Sequence, residues 1–167
     1  MNQECNASKK VHLRQCHCFN LRQVTLAVTA LYDKYLQEAG ITAQQYSILW
    51  HSKELGPLSI TELASAMNLD RTTLSRNITL LTKRGLLETL PSTGRRRLVQ
   101  LTGQGQAVFA QAYESWQQAQ QQLESRLGKK QMSQVRRFVG PANGIDIYFF
   151  FFNVYIHDIR RAEHEYG

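Results

Sequence analysis

The sequence predicts a mainly α fold with one small β-hairpin, an α+β arrangement in which long helices flank a compact central unit. Apolar residues recur at helical spacing before residue 40 and again after residue 102. Between these regions lie shorter helical patterns and two apolar-rich strands, which the turn signal Pro91-Ser-Thr-Gly94 joins. At 167 residues the chain has the length of one domain, since domains span about 100–200 residues. We therefore expect a single structural unit.

The first predicted helix extends from about Val11 to Ala39. Its apolar residues are spaced 3, 4, 3 and 4 positions apart, and they are Leu21, Val24, Val28, Leu31 and Tyr35. Gly40 is a natural stop for this helix. An apolar stripe of this length needs a partner, so we expect it to be covered by another long helix or by a second copy of the chain.

The central unit, residues 41–102, begins with a helix that Thr42 caps. A short helix follows, in which Ser59 and Glu62 have the spacing of a capping box. Asp70 then has the side chain to cap another helix by accepting hydrogen bonds from its free N–H groups. These residues predict a helix-turn-helix.

The helix after Asp70 has one apolar face and one polar face. The apolar positions follow the spacing i, i+4 and i+7 and are Leu74, Ile78 and Leu81. The opposite face carries arginines and short hydroxyl side chains, namely Arg71, Thr72, Ser75, Arg76 and Thr79. Short side chains let the backbone approach the major groove of DNA, and an arginine reaches a base edge or a phosphate. This pattern predicts a recognition helix, with a solvated polar face as the alternative.

The predicted hairpin consists of the strands Leu86–Leu90 and Leu98–Leu101, and its tip carries Arg95, Arg96 and Arg97. Three consecutive arginines repel one another and gain little from packing, so an anion between them is the simplest explanation. The narrow minor groove of DNA supplies such an anion. A solubilising charged loop is the alternative. Together with the two preceding helices, the hairpin predicts a winged helix-turn-helix.

The charge distribution favours nucleic acid over a membrane surface. The chain has a net charge of +7 and a pI near 9.5, and residues 70–100 contain seven Lys/Arg against two acids, a local balance of 7 − 2 = +5. Because this charge lies on a folded motif, double-stranded DNA is the expected partner. No signal peptide and no apolar run of the roughly 20 residues needed to span a bilayer is visible. Three cysteines are too few for a disulfide framework, which favours a cytoplasmic location.

The C-terminal region predicts further long helices. Thr102 caps a helix from Gly103 to about Leu127, and a second follows over Lys129–Val139. We expect residues 11–39 and 103–167 to form dimerisation helices, because a two-fold dimer reads two half-sites about one helical turn apart. The tail, residues 140–167, fits both a helix and a strand, and its IYFFFFNVYI must be buried, which favours the dimer seam.

Three stretches of this sequence resemble the MarR-type (multiple-antibiotic-resistance regulator) family of winged-helix transcription factors. They are GITAQQYSILW, LSITELASAMNLDRTTLSRNITLLTKRGLLE and RRRLVQLTGQG. The resemblance covers about Cys16 to Leu127. It implies a homodimer that binds a palindromic operator, usually represses transcription, and releases DNA when a small phenolic ligand or an oxidant binds. By position it makes Thr72, Thr73, Ser75 and Arg76 the major-groove residues and Arg95 the wing-tip arginine. Thr93 stands where the family usually has an aspartate.

Cys16 and Cys18 leave two interpretations open. Cys18-Phe19, near the start of the first helix, looks like the peroxide-sensing branch of the same family, in which a thiol at this place is oxidised. The alternative is packing as a small apolar residue. A zinc site is not expected, because residues i and i+2 of a helix point about 200° apart and no third and fourth ligands are evident.

Aromatic residues on the predicted helices could line an effector pocket or belong to the core; the candidates are Tyr46, Trp50, His51 and Trp116. No nucleotide-binding glycine pattern, paired carboxylates or activated nucleophile is present in the sequence. We therefore expect no enzyme activity, no catalytic residues, no metal and no cofactor. A non-specific architectural DNA-binding protein remains as an alternative to a sequence-specific regulator.

Overall fold

The computed structural model describes residues 15–92 and 97–139. Its elements, in chain order, are α1 (His17–Leu36), a 3-10 turn (Gln37–Ala39), α2 (Ala43–Glu54), β1 (Leu58–Ser59), α3 (Ile60–Ala66), α4 (Arg71–Lys83), β2 (Leu87–Pro91), β3 (Arg97–Leu101), α5 (Gly103–Leu127) and α6 (Lys129–Val139). The fold is mainly helical with a small antiparallel sheet, as the sequence predicts.

Side chains at the helix N-termini account for where the central helices begin. The Thr42 hydroxyl accepts a hydrogen bond from the Gln45 N–H at 3.2 Å, and the Gln45 side chain accepts one from the Thr42 N–H at 3.2 Å. Ser59 and Glu62 form the same reciprocal pair at the start of α3. Both capping boxes satisfy N–H groups that have no partner inside the helix. The predicted starts of α2 and α3 are therefore confirmed.

The sheet has three strands in the order β1-β3-β2, so the predicted hairpin is confirmed and a third strand is added. The strands β2 and β3 pair antiparallel over five residues each, from Leu87 opposite Leu101 to Pro91 opposite Arg97. The short strand β1 pairs on the other side of β3, where Leu58 lies opposite Val99. The first strand is shifted by one residue from the predicted Leu86–Leu90, and the second begins one residue before the predicted Leu98–Leu101.

One hydrophobic core joins the central unit to the long helices. Its largest fully buried side chains come from α1, α2, α3, α4, the sheet and the residue before β2, and are Leu36, Ile48, Leu49, Leu63, Leu74, Leu81, Leu86, Leu87 and Val99. Phe109 and Ala112 of α5 belong to the same core. Burying a leucine or isoleucine side chain contributes about 1.5–3 kcal/mol, so this shared core holds the central unit against α5.

The first long helix is shorter than predicted. Cys16 has an extended backbone, with φ −75° and ψ 108°, and serves as the N-cap of α1, so the continuous helix predicted from about Val11 is interrupted there. At the other end the last residues, Gln37–Ala39, tighten into a 3-10 turn before Gly40. No side chain caps α1 at Cys16. The spacing of apolar residues could not predict the break at Cys16, because the apolar stripe begins only at Leu21.

The second half of α1 packs against α5, while the start of α1 remains exposed. The Tyr32 hydroxyl donates a hydrogen bond to Oε1 of Gln120 at 2.7 Å. Burial raises the pKa of Tyr32 to about 12, with a smaller contribution from Glu124. Leu21 and Val24, the first two members of the predicted stripe, are 55% and 53% exposed. The stripe is therefore only half covered within one chain.

Residues after the end of α4 make close contact with the first turn of α5. The Thr102 hydroxyl accepts a hydrogen bond from the Gly105 N–H at 2.9 Å and donates one to the Gly85 carbonyl at 2.6 Å. A Cβ on Gly105 would lie 2.9 Å from Cδ1 of Leu101 and closer still to the carbonyl oxygen of Leu86. The absence of a side chain at residue 105 thus allows the helix and the backbone at Leu86 to touch.

The remaining predictions concern the ends of the chain. The helix predicted over Lys129–Val139 is confirmed as α6. The predictions for residues 11–14 and for the tail, residues 140–167, lie outside the described residues. Within the described part of the chain, no helix has the length and apolar character needed to cross a membrane.

Candidate nucleic-acid interface

Asp70 defines the start of α4. Its Oδ1 accepts a hydrogen bond from the Thr73 N–H at 2.8 Å, which confirms the predicted cap. Hydrogen bonds from the Thr73 side chain and backbone hold the pKa of Asp70 below its ordinary value, and Arg76 adds a smaller effect in the same direction. Asp70 is therefore ionised at neutral pH and keeps the first turn of α4 in place.

The two faces of α4 differ as the sequence predicts. Leu74, Ile78 and Leu81 are at most 4% exposed and face the core. The opposite face forms an open depression of about 350 Å³, lined by Arg71, Thr72, Ser75, Arg76 and Thr79. These are the residues that the helical periodicity places away from the core. The arrangement offers two guanidinium groups beside short hydroxyl side chains on one exposed surface.

Two of the threonines on α4 have specific intrahelical partners. The Thr79 hydroxyl donates its proton to the Ser75 carbonyl at 2.9 Å, so this side chain presents its methyl group and an acceptor to the outside. A threonine methyl is suited to contact with the methyl group of thymine. Thr73 lies outside the depression and supplies the N–H that Asp70 accepts. The structure therefore gives Thr73 a role in the cap.

The hairpin is described except at its tip. Arg97 is the first residue of β3, lies opposite Pro91 and is exposed. Arg95, Arg96 and Thr93 lie outside the described residues. Near the base of the hairpin, the Gln100 side chain donates a hydrogen bond to Oε1 of Glu88 at 2.6 Å across the two strands. Arg97 thus adds an exposed cation at the start of a paired strand.

The predicted effector residues lie within an aromatic cluster. The ring centroid of Tyr46 lies 5.9 Å from that of Trp50 and 6.0 Å from that of Trp116. The centroids of Trp50 and Trp116 are 5.7 Å apart. Phe109 and Tyr113 complete the cluster, with Phe109 stacked on Tyr46 at 5.3 Å. Sequence reasoning missed Phe109 and Tyr113, although they precede Trp116 on α5 at the spacing of one helix face.

Two polar side chains at the edge of this cluster, Tyr46 and His51, differ in their hydrogen bonding. The Tyr46 hydroxyl is buried and has no hydrogen-bond partner among the described residues, and burial raises the pKa of Tyr46 far above its ordinary value. Nδ1 of His51 lies 2.7 Å from the Ser47 carbonyl, and burial lowers the pKa of His51. Since Tyr46 and Trp50 are 3% and 7% exposed, a ligand would have to displace these rings to enter between them.

Both described cysteines are accessible in the single chain. Cys16 precedes α1 and Cys18 is its second residue, and both are exposed with free thiols. Packing in the interior of one chain is therefore not the role of Cys18. Within residues 15–92 and 97–139 no three His, Cys, Asp or Glu side chains come close enough together to hold a metal ion.

The sequence profile of the MarR family matches residues 41–99, which extend from the start of the central unit into β3. The regulator FarR of Neisseria gonorrhoeae is 31% identical over 114 residues, a match that covers 67% of this chain and 78% of FarR. The chain belongs to the MarR family. Members of this family are winged-helix transcriptional regulators rather than enzymes, and the resemblance and the fold class inferred from the sequence are both confirmed.

Solved MarR-family structures share this architecture. The transcriptional regulator MosR of M. tuberculosis in complex with DNA is 28% identical with a TM-score of 0.67, over 75% of this chain and 91% of MosR. A mutant of E. coli MarR complexed with operator DNA is 25% identical with a TM-score of 0.66, over 71% of this chain and 87% of MarR. The likeness covers the long helices as well as the segment matched by the MarR profile.

Proposed function

We propose that this MarR-family protein binds a palindromic DNA operator as a homodimer and represses transcription from it. The observation that carries the proposal is the exposed polar face of α4, where Arg71, Thr72, Ser75, Arg76 and Thr79 surround one open depression. Short side chains on a helix of this kind let its backbone enter the major groove, and the two arginines reach base edges or phosphates. Arg97, and by position Arg95 and Arg96, would add minor-groove or phosphate contacts.

The relatives support this proposal. MosR and E. coli MarR were both solved in complex with DNA, and the second complex contains operator DNA. Sequence identity of 25–28% is modest, so the operator sequence does not transfer to this chain. What does support DNA binding here is that the polar face of α4 has the composition such a contact requires.

Exposed apolar side chains support the homodimer. The start of α1 and the region around α6 carry large hydrophobic residues that are 40–59% exposed, namely Phe19, Leu21, Val24, Leu26, Leu127 and Val135. Several large apolar side chains left exposed on a folded chain indicate an interaction site. A second copy would cover these residues and would bring a second α4 to the same DNA, which a palindromic operator needs.

An oxidant or a small phenolic ligand would release the DNA. The exposed thiols of Cys16 and Cys18 support the first route, because an oxidant must reach the sulfur. The unpartnered Tyr46 hydroxyl supports the second, because a polar ligand group could satisfy it. The oxidant route requires no rearrangement of the aromatic cluster and is therefore the better supported of the two.

The test of the proposal is a titration of the protein with its own upstream DNA and with a scrambled duplex of equal length. We expect the upstream duplex to bind at least about 10³-fold more tightly, with an affinity that falls steeply as salt rises. Arg76→Ala should remove a large part of this preference, whereas Lys34→Ala, which removes an exposed charge from α1, should leave the preference in place. Equal affinity for both duplexes would instead indicate a non-specific architectural DNA-binding protein.

The release mechanism needs a separate titration. Treatment with an organic hydroperoxide should weaken DNA binding by the wild-type protein and not by Cys18→Ser. If both proteins lose DNA equally, Cys18 is not the sensor. Addition of salicylate to untreated protein tests the phenolic route, and a drop in affinity that persists in Cys18→Ser would favour it.

A further inference from the structure

An arginine at the end of the recognition helix joins that helix to the end of α1. Arg84 is the residue that follows α4, and its Nη1 donates a hydrogen bond to the Gly40 carbonyl at 2.8 Å. The two residues are 44 positions apart in the chain. No periodicity or motif in the sequence relates them, so this contact is a property of the folded chain alone.

The local geometry explains why glycine and arginine stand at these positions. Gly40 has φ +67°, a left-handed conformation that favours glycine. A Cβ at residue 40 would lie 3.3 Å from Nη2 of Arg84, so the guanidinium lies directly over the glycine. A larger residue at position 40 would therefore be strained and would also push against the arginine.

Arg84 also suits the electrostatics of two helix ends. It follows the C-terminus of α4, and Gly40 follows the C-terminal turn of α1. The C-terminus of a helix carries a partial negative charge, and a cation there is favourable. The guanidinium of Arg84 thus lies at the negative end of the long helix that the proposed dimer uses.

A second contact holds the same end of α4 to α5. The Thr102 hydroxyl, which caps α5, donates to the Gly85 carbonyl at 2.6 Å, one residue after Arg84. The C-terminal end of the recognition helix is consequently attached to α1 through Arg84 and to α5 through Thr102. At the other end of α4, the hydrogen bond that Asp70 accepts comes from the Thr73 N–H and stays within the first turn.

We propose that Arg84 is a positioning residue that fixes the angle of the recognition helix to the long helices and thereby sets the half-site spacing that the dimer accepts. This proposal rests on the proposed function for its DNA consequence, but the fixed angle is a property of the free protein. Nη1 of Arg84 is engaged by Gly40. Because a guanidinium has five N–H donors, a direct phosphate contact is the competing role that the DNA test must separate from action through α4.

The DNA test uses duplexes whose half-site spacing is optimal or changed by one base pair. We expect Arg84→Ala to reduce the preference for the optimal spacing by about 2- to 30-fold, the range found for residues that act without touching the ligand. Arg84→Lys, which retains a cationic donor group without the planar guanidinium, should recover part of the preference. Lys83→Ala removes the neighbouring exposed charge and should retain it in full. If Arg84 bound a phosphate instead, affinity would fall equally at every spacing and the salt slope would decrease by about 1, which would overturn the proposal.

The free protein is tested with spin labels at Thr82→Cys on α4 and Gln121→Cys on α5, both exposed positions, after replacement of the native cysteines by serine. Dilution with unlabelled protein restricts the measured distances to one chain. We expect Arg84→Ala to broaden the distance distribution and Lys83→Ala to leave it unchanged. Equal widths would overturn the proposal. If the wild-type protein shows no preference among duplexes, the proposed function is refuted. The widths of the distance distributions would still decide whether Arg84 holds α4 in place.

Discussion

The Thr102 hydroxyl acts both as a hydrogen-bond acceptor and as a donor at the junction of the sheet with α5, and its removal should cost more than the loss of an ordinary helix cap. As an acceptor it caps α5 through the Gly105 N–H, and as a donor it reaches the Gly85 carbonyl at 2.6 Å and the Leu86 carbonyl at 3.2 Å. Thr102→Val keeps the shape and β-branching while deleting both. Loss of an N-cap destabilises by about 1 kcal/mol and loss of a neutral hydrogen bond by about 1 kcal/mol, so we expect a total of about 2 kcal/mol.

Thr42→Val is the matched control, because the Thr42 hydroxyl acts as an N-cap through the Gln45 N–H and is not a donor to a distant carbonyl in the described structure. Its expected loss is about 1 kcal/mol. Urea unfolding at one fixed protein concentration measures both values, and with a slope of about 2 kcal/mol per molar the Thr102→Val midpoint should fall by about 1 M. Equal losses in the two variants would refute the double role of Thr102.

Three further predictions concern titratable groups and a buried hydroxyl. The pKa of Asp70 is lowered, so the stability that its charge adds is present above the ordinary value of 3.8 and is lost as pH falls through the folded-state pKa; Asp70→Asn should flatten the urea stability profile below about pH 4, and an unchanged slope would contradict this. Burial lowers the pKa of His51 from its ordinary 6.5, so the unfolded chain binds the proton more readily and stability should decrease as pH drops through that range; thermal unfolding of His51→Gln should lack this decrease. Tyr46→Phe deletes a buried hydroxyl without a partner among the described residues, so the free energy of unfolding should stay equal or rise by up to about 1 kcal/mol. A decrease in that free energy would contradict this prediction.

Local sequence signals predict the helix starts and the exposed polar face of α4 well. Thr42, Ser59, Asp70 and Thr102 all act as caps in the structure, because a cap depends on groups only two or three residues away. The exposed face of α4 follows from the 3.6-residue period for the same reason. Thr73 is placed among the major-groove residues by the family resemblance and not by this period, and that placement stays a prediction.

Features that depend on distant parts of the chain could not be predicted. The strand β1 has only two residues, Leu58 and Ser59, and exists because they pair with β3 some 40 positions later, where Leu58 lies opposite Val99. The Arg84 contact with Gly40 spans 44 positions and has no local signature. The aromatic cluster likewise needed the packing of α2 on α5 before Phe109 could be assigned to it.

The close approach at Gly105 has a consequence for recombining parts of this protein with those of its relatives. A chimera that exchanges the central unit for that of another MarR-family member would be cut near Thr102, because the long helix begins there. The backbone at Leu86 belongs to the exchanged part and the glycine to the retained part, yet the two touch with no room for a methyl group. A relative can therefore supply the central unit only if its backbone after α4 follows the same path. Residue 105 must remain glycine, whichever protein supplies it.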